Sequence, residues 1–458
     1  MSSWTSGSYS SDSELKTSLK TLRARSRQLA NDDDYAKKFF RMVRTNVIGS
    51  NGIRLQSIAK QDNDEPDEGA RVKIEEGFKN WSKKNVCEVT GKYSFKDVQS
   101  MVMTSVARDG EILVSLARGI DNGFGFALQL IEADHLDEMY NTTLANGNKV
   151  KMGVEIDSWG RPVAYWIFKN HPGDILYGQT YSDRIRIPAS DMLHIYMPVR
   201  VSQNRGVPWM HTAMARLKML GGYEESELVA ARLASAKNGF YYWEKDSEGS
   251  GEYVGDDKEN ENPIQEAVPG HYEMLPAGMR FESNNPDHPT TAYKDFVKAV
   301  LRAISSGLDV SYNYLANDLE GVNYSSIRAG VLDERDAWKD IQAWTAEHFL
   351  QVVFEEWLAM ALLSQAVKLP MSKIERWKMT KWQPRGWQWV DPLKDASSSI
   401  KEIEAGLKTA SMVAAEKGLD LEEIYAELAR EKKLQEKYGV SVSYDLSAME
   451  SLAKIENT

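Results

Sequence analysis

Apolar residues recur along this chain with two periods, one typical of helices and one typical of strands. Helical spacing predicts helices from Leu15 to Val43 and two more between Lys73 and Ala107. From residue 111 the apolar residues alternate with polar ones, which predicts strands. The strand segments are "EILVSLAR", "FALQLIEA", "KMGVEID", "PVAYWIFK" and "DMLHIYMP". The turn "DSWGRP" separates two of them as a hairpin with Gly160 at its flexible position. The first half of the chain is therefore predicted to be α+β.

The stretch "RVSQNRGVPWMHTAMARLKML" joins a polar turn to a long amphipathic segment. Gly206 indicates a tight turn, and Pro208 stands where the first turn of a helix tolerates a missing N–H. We therefore expect a helix from Pro208 to Lys237. Gly221 and Gly222 interrupt its apolar stripe. Because each glycine costs a helix about 1 kcal/mol relative to alanine, we expect a bend or an unusually close neighbour there.

The second half alternates between polar loops and helices. The acidic, glycine-rich run "EKDSEGSGEYVGDDKENENP" and the strand-like pieces "HYEML" and "MRFES" predict a small exposed β module with a loose loop. Helical periodicity returns at 292–308, at 327–364 and in the last sixty residues. The serine- and glycine-rich residues 1–13 are expected to be mobile.

Composition narrows the class of protein. A chain of 458 residues that is 42% hydrophobic can bury a sizeable core and is expected to form two or three domains. A net charge of -11 argues against binding nucleic acid through clustered basic residues. The single cysteine, Cys87, excludes an intramolecular disulfide and indicates a reducing compartment. The amino terminus does not resemble a signal peptide and the apolar runs are short, so no membrane role is predicted.

Motifs of common enzymes are missing from the sequence. It contains no GxxxxGK[ST], HExxH, GxSxG or CxxC. The acidic run "DNDEPDEG" has its glycine at the wrong place for a calcium loop, and Pro66 occupies a ligand position. We therefore predict a non-enzymatic protein with no metal and no cofactor.

Three segments from residue 191 onward carry a resemblance to a known family. They are "DMLHIYMPVRVSQNRGVPWM", "LRAISSGLDVSYNYLANDLEGVNYSSIRAG" and "WQWVDPLKDASSSIKEIEAGLKT". In their order and spacing they resemble phage portal proteins of the lambda type. Family motif positions are Tyr324, Ser325, Arg328, Asp391, Pro392 and Lys394. The resemblance implies a ring, usually of twelve subunits, at one capsid vertex.

The resemblance also implies a division of the chain into named parts. These are a wing (1–207), stem helix 1 (208–237), a clip (238–291), stem helix 2 (292–308), a tunnel loop (309–324), a long helix (325–364), a wing return segment (365–392) and a crown with the C-terminal tail (393–458). The implied fold is an α+β wing with a helical stem, a small β clip and an α-helical crown.

Partners follow from the same resemblance. They are further copies of the chain, double-stranded DNA passing without sequence specificity, the large terminase subunit, a head-tail adaptor, and the major capsid and scaffold proteins. The implied location is the virion, with host cytoplasm during assembly. The DNA channel would be lined by the tunnel-loop residues Asn317, Asp318, Leu319, Glu320, Gly321, Val322 and Asn323. Asp318 and Glu320 would repel phosphate there, although a solvated loop of ordinary acidic content explains them equally well.

The polar turn before stem helix 1 is predicted to be a joint between wing and stem. Its residues are Arg200, Gln203, Arg205, Gly206 and Pro208. The side chains would either bond backbone carbonyls or pair with acids on the next subunit. Simple exposure of a turn is the alternative.

Two further features leave alternatives open. The clip acids Asp256, Asp257, Glu259 and Glu261 would bind a basic surface of the motor or adaptor, or merely keep a loop soluble. The tryptophans from Trp377 to Trp389 would form either intrachain core or a subunit interface. For the whole protein, the alternatives are a packaging enzyme, as a motor or nuclease subunit, and a monomeric scaffold or adaptor.

Overall fold

The computed structural model describes residues 7–174, 184–235, 239–243, 279–283, 292–320, 324–387 and 392–440. Helices and strands are mixed, so the predicted α+β class is confirmed. The chain divides into two compact units, the first comprising residues 1–211 and 319–458 and the second residues 212–318. Within the described ranges, no helix combines the length and apolar character needed to cross a membrane.

Two helices open the first unit. Helix α1 spans Ser11–Asp32, α2 spans Asp34–Val43, and a π-helical turn follows at Arg44–Ile48. The single helical run suggested by the sequence is broken at Asp33, whose backbone is extended and whose carboxylate accepts from Ala36 N at 2.8 Å. That bond caps the second helix and starts it in a new direction.

The expectation of a mobile tail at 1–13 is wrong for its last residues. Ser10 caps α1 by accepting from Ser13 N, and Ser11 is buried. The carboxylate of Asp12 accepts from the backbone N–H of Asn204 at 3.1 Å. These bonds fix the start of the helix, while residues 1–6 lie outside the described residues.

A short strand and two helices follow. Strand β1 is Arg54–Ser57, α3 is Glu68–Trp81 and α4 is Phe95–Asp109. Asp67 caps α3, and Ser94 opens α4 with a reciprocal capping box. The two helices predicted between residues 73 and 107 are thus confirmed, with ends set by their caps.

In the described residues between 111 and 196, eight strands form two antiparallel sheets. They are β2 Glu111–Ile120, β3 Gly125–Ile131, β4 Thr142–Thr143, β5 Lys149–Lys151, β6 Val154–Ile156, β7 Pro162–Phe168, β8 Arg184–Pro188 and β9 Met192–Tyr196. The strand orders are β3-β2-β9 and β4-β5-β6-β7-β8. Leu113 and Met192 from the first sheet share one buried cluster with Val154, Tyr165 and Ile167 from the second. This cluster is a hydrophobic core shared by the two sheets.

One segment predicted as a single strand belongs to two short strands. The segment "KMGVEID" turns back on itself at Met152 and Gly153, whose φ angles are 47° and 85°. A Cβ at Gly153 would lie 2.9 Å from the carbonyl oxygen of Asp137, so only glycine fits there. The hairpin expected at "DSWGRP" is present, with Asp157 N donating to Arg161 O at 3.0 Å.

The second unit contains three helices and a strand pair in its described part. They are α5 Met214–Ser235, β10 Gly239–Trp243, β11 Met279–Ser283, α6 Tyr293–Leu308 and α7 Tyr312–Ala316. Strands β10 and β11 pair antiparallel. Tyr223 of α5 stacks on Tyr293 of α6, with ring centroids 5.8 Å apart. The "HYEML" piece and the clip acids Asp256, Asp257, Glu259 and Glu261 lie outside the described residues.

Helix α5 begins later than the sequence suggested. A 3₁₀ turn at Trp209–Thr212 precedes it, and His211 N donates to Pro208 O at 3.0 Å. The helix then runs through Gly221 and Gly222 without interruption. No described atom lies within 4 Å of a Cβ placed at either glycine, so the close neighbour expected there is absent from the described residues.

The first unit resumes with a long helical segment. Helix α8 (Tyr324–Thr345), a π-helical turn (Ala346–Leu350) and α9 (Gln351–Leu363) follow one another directly. Trp357 of α9 is buried against Phe78 of α3, with ring centroids 5.0 Å apart. This aromatic contact ties the segment to the amino-terminal helices.

The chain then returns to its amino-terminal part. Helix α10 is Ile374–Trp377, and β12 (Thr380–Gln383) pairs antiparallel with β1. Trp377 is 1% exposed, and the ring of Trp382 lies 6.1 Å from that of Phe78. Both tryptophans therefore belong to the intrachain core, whereas Trp389 lies outside the described residues.

Three helices end the described chain. They are α11 Pro392–Glu404, α12 Ala410–Glu416 and α13 Leu421–Tyr438. Thr409 and Asp420 cap the last two. Several apolar side chains of α11 and α13, including Ile400, Ile403 and Leu428, are exposed.

Candidate functional site

The polar residues of the 200–208 turn differ sharply in burial. Arg205 is 0% exposed and Gln203 is 6% exposed, whereas the side chain of Arg200 is 47% exposed. Arg200 pairs with Glu14 at 3.0 Å on the surface. The alternative of a simply exposed turn is therefore wrong for Arg205 and Gln203 and describes only Arg200.

Gln203 holds the turn together from inside. Its side-chain Oε1 accepts from Val199 N at 2.9 Å and from Arg200 N at 3.2 Å. Its side-chain Nε2 donates to Arg205 O at 2.7 Å. The hydroxyl of Tyr196 donates to Gln203 O at 2.7 Å. These bonds satisfy backbone groups that a buried turn would otherwise leave unpaired.

Arg205 makes a two-pronged contact with Glu111, the first residue of β2. Its Nε donates to Glu111 Oε1 at 2.9 Å and its Nη2 to the same oxygen at 2.5 Å. Nη1 donates to Met152 O at 2.8 Å. The Gly206 N–H donates to Glu111 Oε2 at 2.9 Å. Of the two expected kinds of partner, Arg205 thus has both a carbonyl and an acid, and the acid lies in the same chain.

Two more side chains reach Glu111. Arg23 Nη2 donates at 3.0 Å, and His194 Nε2 lies 2.8 Å from Oε2. We call Arg23, Glu111, His194 and Arg205 the Glu111 cluster; every side chain in it is at most 3% exposed. Buried charges need such saturation, because an unpaired ion inside a protein is strongly destabilising.

The cluster fixes the charge state of its members. Burial alone would raise the pKa of Glu111, but the charge of Arg205 and the hydrogen bond from His194 outweigh it and hold the pKa far below its ordinary value. Burial lowers the pKa of His194, against the opposing effect of Glu111. His194 is therefore neutral, and because an ionised carboxylate can only accept, its Nε2 carries the proton.

The ionic contacts continue outward from Arg23. Arg23 also pairs with Asp134 at 3.3 Å, and Arg27 bridges Asp134 at 2.5 Å and Asp109 at 2.8 Å. Helix α1, the end of α4 and the loop after β3 are thereby joined to the 200–208 turn through alternating charges.

Gly206 is required by close approach. A Cβ there would lie 2.1 Å from the carbonyl oxygen of Gly110, and one on Gly110 would lie 2.5 Å from the carbonyl carbon of Val207. Gly110 ends α4 in a left-handed conformation with φ 91°. The two glycines let the turn press against the α4–β2 junction, which is what brings Gly206 N to Glu111.

The described part of the tunnel loop is more structured than a solvated acidic loop. Asn317 ends α7 in a left-handed conformation. Asp318 accepts from the Tyr312 hydroxyl at 2.6 Å and pairs with Lys298 at 3.1 Å. Leu319 and Glu320 are exposed, and Gly321, Val322 and Asn323 lie outside the described residues. The charge of Asp318 is thus already balanced within the chain.

The family motif positions fall at helix starts. Tyr324, Ser325 and Arg328 lie in the first turns of α8, and Pro392 and Lys394 in the first turn of α11. Pro392 suits the first helical position, where no N–H is needed. Asp391 lies outside the described residues.

Sequence reasoning missed the partners of Arg205. Glu111 stands at the head of an apolar strand, and Arg23 falls on the buried stripe of α1 beside Leu19 and Ser26. A charged residue at a core position was the available signal, but it does not say which residue balances it. His194, which lies on strand β9, is packed in the core.

Comparison with known proteins identifies the class of protein to which the chain belongs. Residues 1–342 match the phage portal proteins of the lambda family. A probable portal protein of Halomonas phage phiHAP-1 is 38% identical over 96% of this chain and 86% of its own length. The portal protein of Escherichia phage N15 and portal protein B of Escherichia phage lambda are each 22% identical, over 96% and 94% of this chain and 88% and 86% of their own lengths.

Among solved structures, the neck of a native gene transfer agent particle is similar, with a TM-score of 0.47 and 11% identity over 88% of this chain and 93% of that one. The sequence matches define a phage portal protein. The chain belongs to the lambda family of phage portal proteins.

Proposed function

We propose that this chain forms a ring, of twelve subunits, at one vertex of a phage capsid, and that double-stranded DNA passes through the ring during packaging and ejection. The observation that carries the proposal is the family match over residues 1–342, together with a 38% identical portal protein aligned over 96% of the chain. We propose no catalytic role, because the sequence carries no phosphate loop or other enzyme motif.

The charge of the chain supports a conduit. Twelve copies at -11 each would carry about -132, and duplex DNA carries one negative charge per roughly 1.7 Å of its axis. An acidic wall repels phosphate, whereas a basic wall would bind it and oppose sliding. The ring would therefore surround DNA without holding it.

The tunnel loop would have a different electrostatic role from the one that the sequence suggested. Since Lys298 balances Asp318, repulsion of DNA would not depend on Asp318. Asp318 would instead fix the start of the loop through Tyr312.

The Glu111 cluster would anchor the joint of the wing. It holds residues 203–206 immediately before the 3₁₀ turn that leads into α5, the proposed stem helix 1. A rigid start is what a helix lining a ring requires if every subunit is to present it in the same way.

The proposed partners are the large terminase subunit, a head-tail adaptor, the major capsid protein and scaffold. The clip acids Asp256, Asp257, Glu259 and Glu261 would face a basic surface on the motor or adaptor. The ring would reside in the virion after assembly in host cytoplasm.

Electron microscopy of the purified chain tests the ring directly. We expect annular particles and, by light scattering, a mass of about 620 kDa, which is twelve chains of 51.7 kDa. A single-chain mass under all conditions would favour a monomeric scaffold or adaptor. ATP hydrolysis or DNA cleavage by the pure chain would favour a packaging motor or nuclease subunit.

The tunnel loop is tested by charge reversal. Asp318→Lys with Glu320→Lys should assemble into rings but package less DNA, because cations in the path would bind phosphate. Asp318→Asn with Glu320→Gln removes the acids without adding cations and is the control. Equal packaging by the two double variants would place the loop outside the DNA path.

A further inference from the structure

The first unit contains a cavity of about 450 Å³ that neither the joint nor the tunnel loop uses. It lies between α8, residues 384–387 and α12. Its lining includes two arginines, two lysines, a tryptophan and a few apolar residues. The residues that carry the argument are Arg335, Lys339, Lys381, Arg385, Trp387 and Met412. We call this cavity the Trp387 groove.

Among the described residues of the groove, positive charge exceeds negative charge. They comprise four cations and two acids, Asp336 and Glu416. Asp336 pairs with Lys339 at 2.8 Å, and Glu416 pairs at 3.0 Å with Lys408, which is not part of the lining. The acids are therefore engaged, and the groove is a local basic site on a chain whose net charge is -11.

Two arginines meet at one ring. The guanidinium carbons of Arg335 and Arg385 lie 5.9 and 5.7 Å from the centroid of Trp387. Arg385 donates to the carbonyls of Thr45 at 2.8 Å and Gly386 at 3.3 Å, and no carboxylate pairs with it in the described part of the chain. Burial, and after it the charge of Arg335, lowers the pKa of Arg385. An anion in the groove would stabilise the charge of Arg385.

The groove is held rigid by its backbone. Gln342 donates to Arg385 O at 3.2 Å and to Asn46 O at 2.8 Å. A Cβ on Gly386 would lie 2.2 Å from Glu416 O, so segment 384–387 presses directly on the end of α12. The cations are thus positioned before any ligand arrives, which lowers the entropic cost of binding.

We propose that the Trp387 groove binds the phosphodiester backbone of double-stranded DNA. The proposal rests on the proposed function, in which this protein surrounds DNA and α12 belongs to the crown inside the capsid. The guanidinium fork of Arg385 matches phosphate oxygens, and Lys381 and Lys339 at the rim add point charges for neighbouring phosphates. The acidic remainder of the chain would repel the same polymer, so DNA would be held at this groove and not along the channel.

Fluorescence anisotropy with a labelled 20-base-pair duplex tests the groove on the full-length protein. The test variant is Lys381→Gln with Arg385→Gln, and the matched control is Lys73→Gln with Lys79→Gln, two exposed lysines of α3. We expect the groove variant to bind on the order of tenfold more weakly at low salt, with a salt slope shallower by about two. The control should bind like the wild type. Equal binding by groove variant and control would overturn the proposal.

Two further readouts keep the interpretation clear. The melting temperature shows whether the groove variant is unfolded. If it is, the double variant Lys339→Gln with Lys381→Gln replaces it, because this variant leaves Arg385 and its backbone hydrogen bonds intact. The expected loss of duplex binding is the same. A glutamate-rich peptide that binds the wild type when the duplex does not would overturn the proposal in favour of an acidic protein partner. Because the groove lies within one chain, binding is measurable whether or not rings form. Rings without duplex binding would refute the groove alone, and duplex binding without rings would refute the ring alone.

Discussion

Arginine occupies opposite settings in the Glu111 cluster and in the Trp387 groove. Arg205 has no exposed surface and shares the carboxylate of Glu111 with Arg23 and His194. Arg385 lines an open cavity, donates only to carbonyls in the described part of the chain, and has a second arginine beside it. The first arrangement pairs its charges inside the fold, whereas the second leaves Arg385 without a carboxylate partner among the described residues.

The difference teaches how to separate structural cations from binding cations. A buried arginine with a saturated carboxylate cannot exchange partners without unfolding its surroundings. Arg385, whose pKa is lowered by burial and by the neighbouring Arg335, would be stabilised by an added anion. Burial and pairing together, rather than residue type, distinguish the two roles.

The largest expected effect comes from removing the central cation of the Glu111 cluster. Arg205→Ala leaves Glu111 buried without its main partner, and we expect a loss of about 3–5 kcal/mol in the free energy of unfolding. Urea unfolding followed by circular dichroism measures it. Arg200→Ala, at the exposed end of the same turn, is the control and should cost less than about 1 kcal/mol. If both variants lose the same stability, the cluster does not hold the turn.

The second effect is steric and tests the close approach at the same turn. Gly206→Ala forces a Cβ to within 2.1 Å of the Gly110 carbonyl oxygen, so we expect a loss of roughly 2–3 kcal/mol. Gly221→Ala is the matched control, because nothing described lies near its Cβ and alanine favours a helix by about 1 kcal/mol. Thermal melting should therefore shift in opposite directions for the two variants. A shift in the same direction would mean that the turn has room to adjust.

How much of this was visible in the sequence depends on the range of the interactions. The helices α3, α4 and α6 and the 157–162 hairpin followed from local periodicity and turn chemistry. The break at Asp33 and the late start of α5 were missed, since single capping bonds and a 3₁₀ turn outweighed a continuous apolar pattern. The sequence identified the polar 200–208 turn but not the side chains that Arg205 contacts. Glu111 lies 94 positions from Arg205, and Arg335 lies fifty from Arg385, so no local pattern connects either pair.

The third effect depends on pH and sharpens the contrast between neutral and charged members of the cluster. Burial lowers the pKa of His194 below its ordinary 6.5, so the unfolded chain takes up the proton first. The contribution of neutral His194 to the free energy of unfolding is complete above about pH 6.5. It falls as the pH drops below that value, by up to about 1.4 kcal/mol per pH unit. Denaturation between pH 7.5 and 5 measures the slope. His194→Gln should flatten it, and an unchanged slope in that variant would assign the loss to other groups.

The smallest effect concerns the ion pair between Lys298 and Asp318 of the tunnel loop. Its exposure lies between that of the Glu111 cluster and that of the Trp387 groove. The side chains of Lys298 and Asp318 are 22% and 19% exposed, so water screens the pair and Lys298→Met should cost only about 0.2–1 kcal/mol. Its consequence for function should be larger than its consequence for stability, because Asp318 would then lose its lysine partner. We expect normal melting together with faster release of DNA from partly filled capsids, measured by nuclease protection. Asp318→Asn with Lys298→Met removes both charges and should restore wild-type retention. If the double variant releases DNA as quickly as Lys298→Met, the change arises from the lost packing of the lysine stem and not from the charge of Asp318.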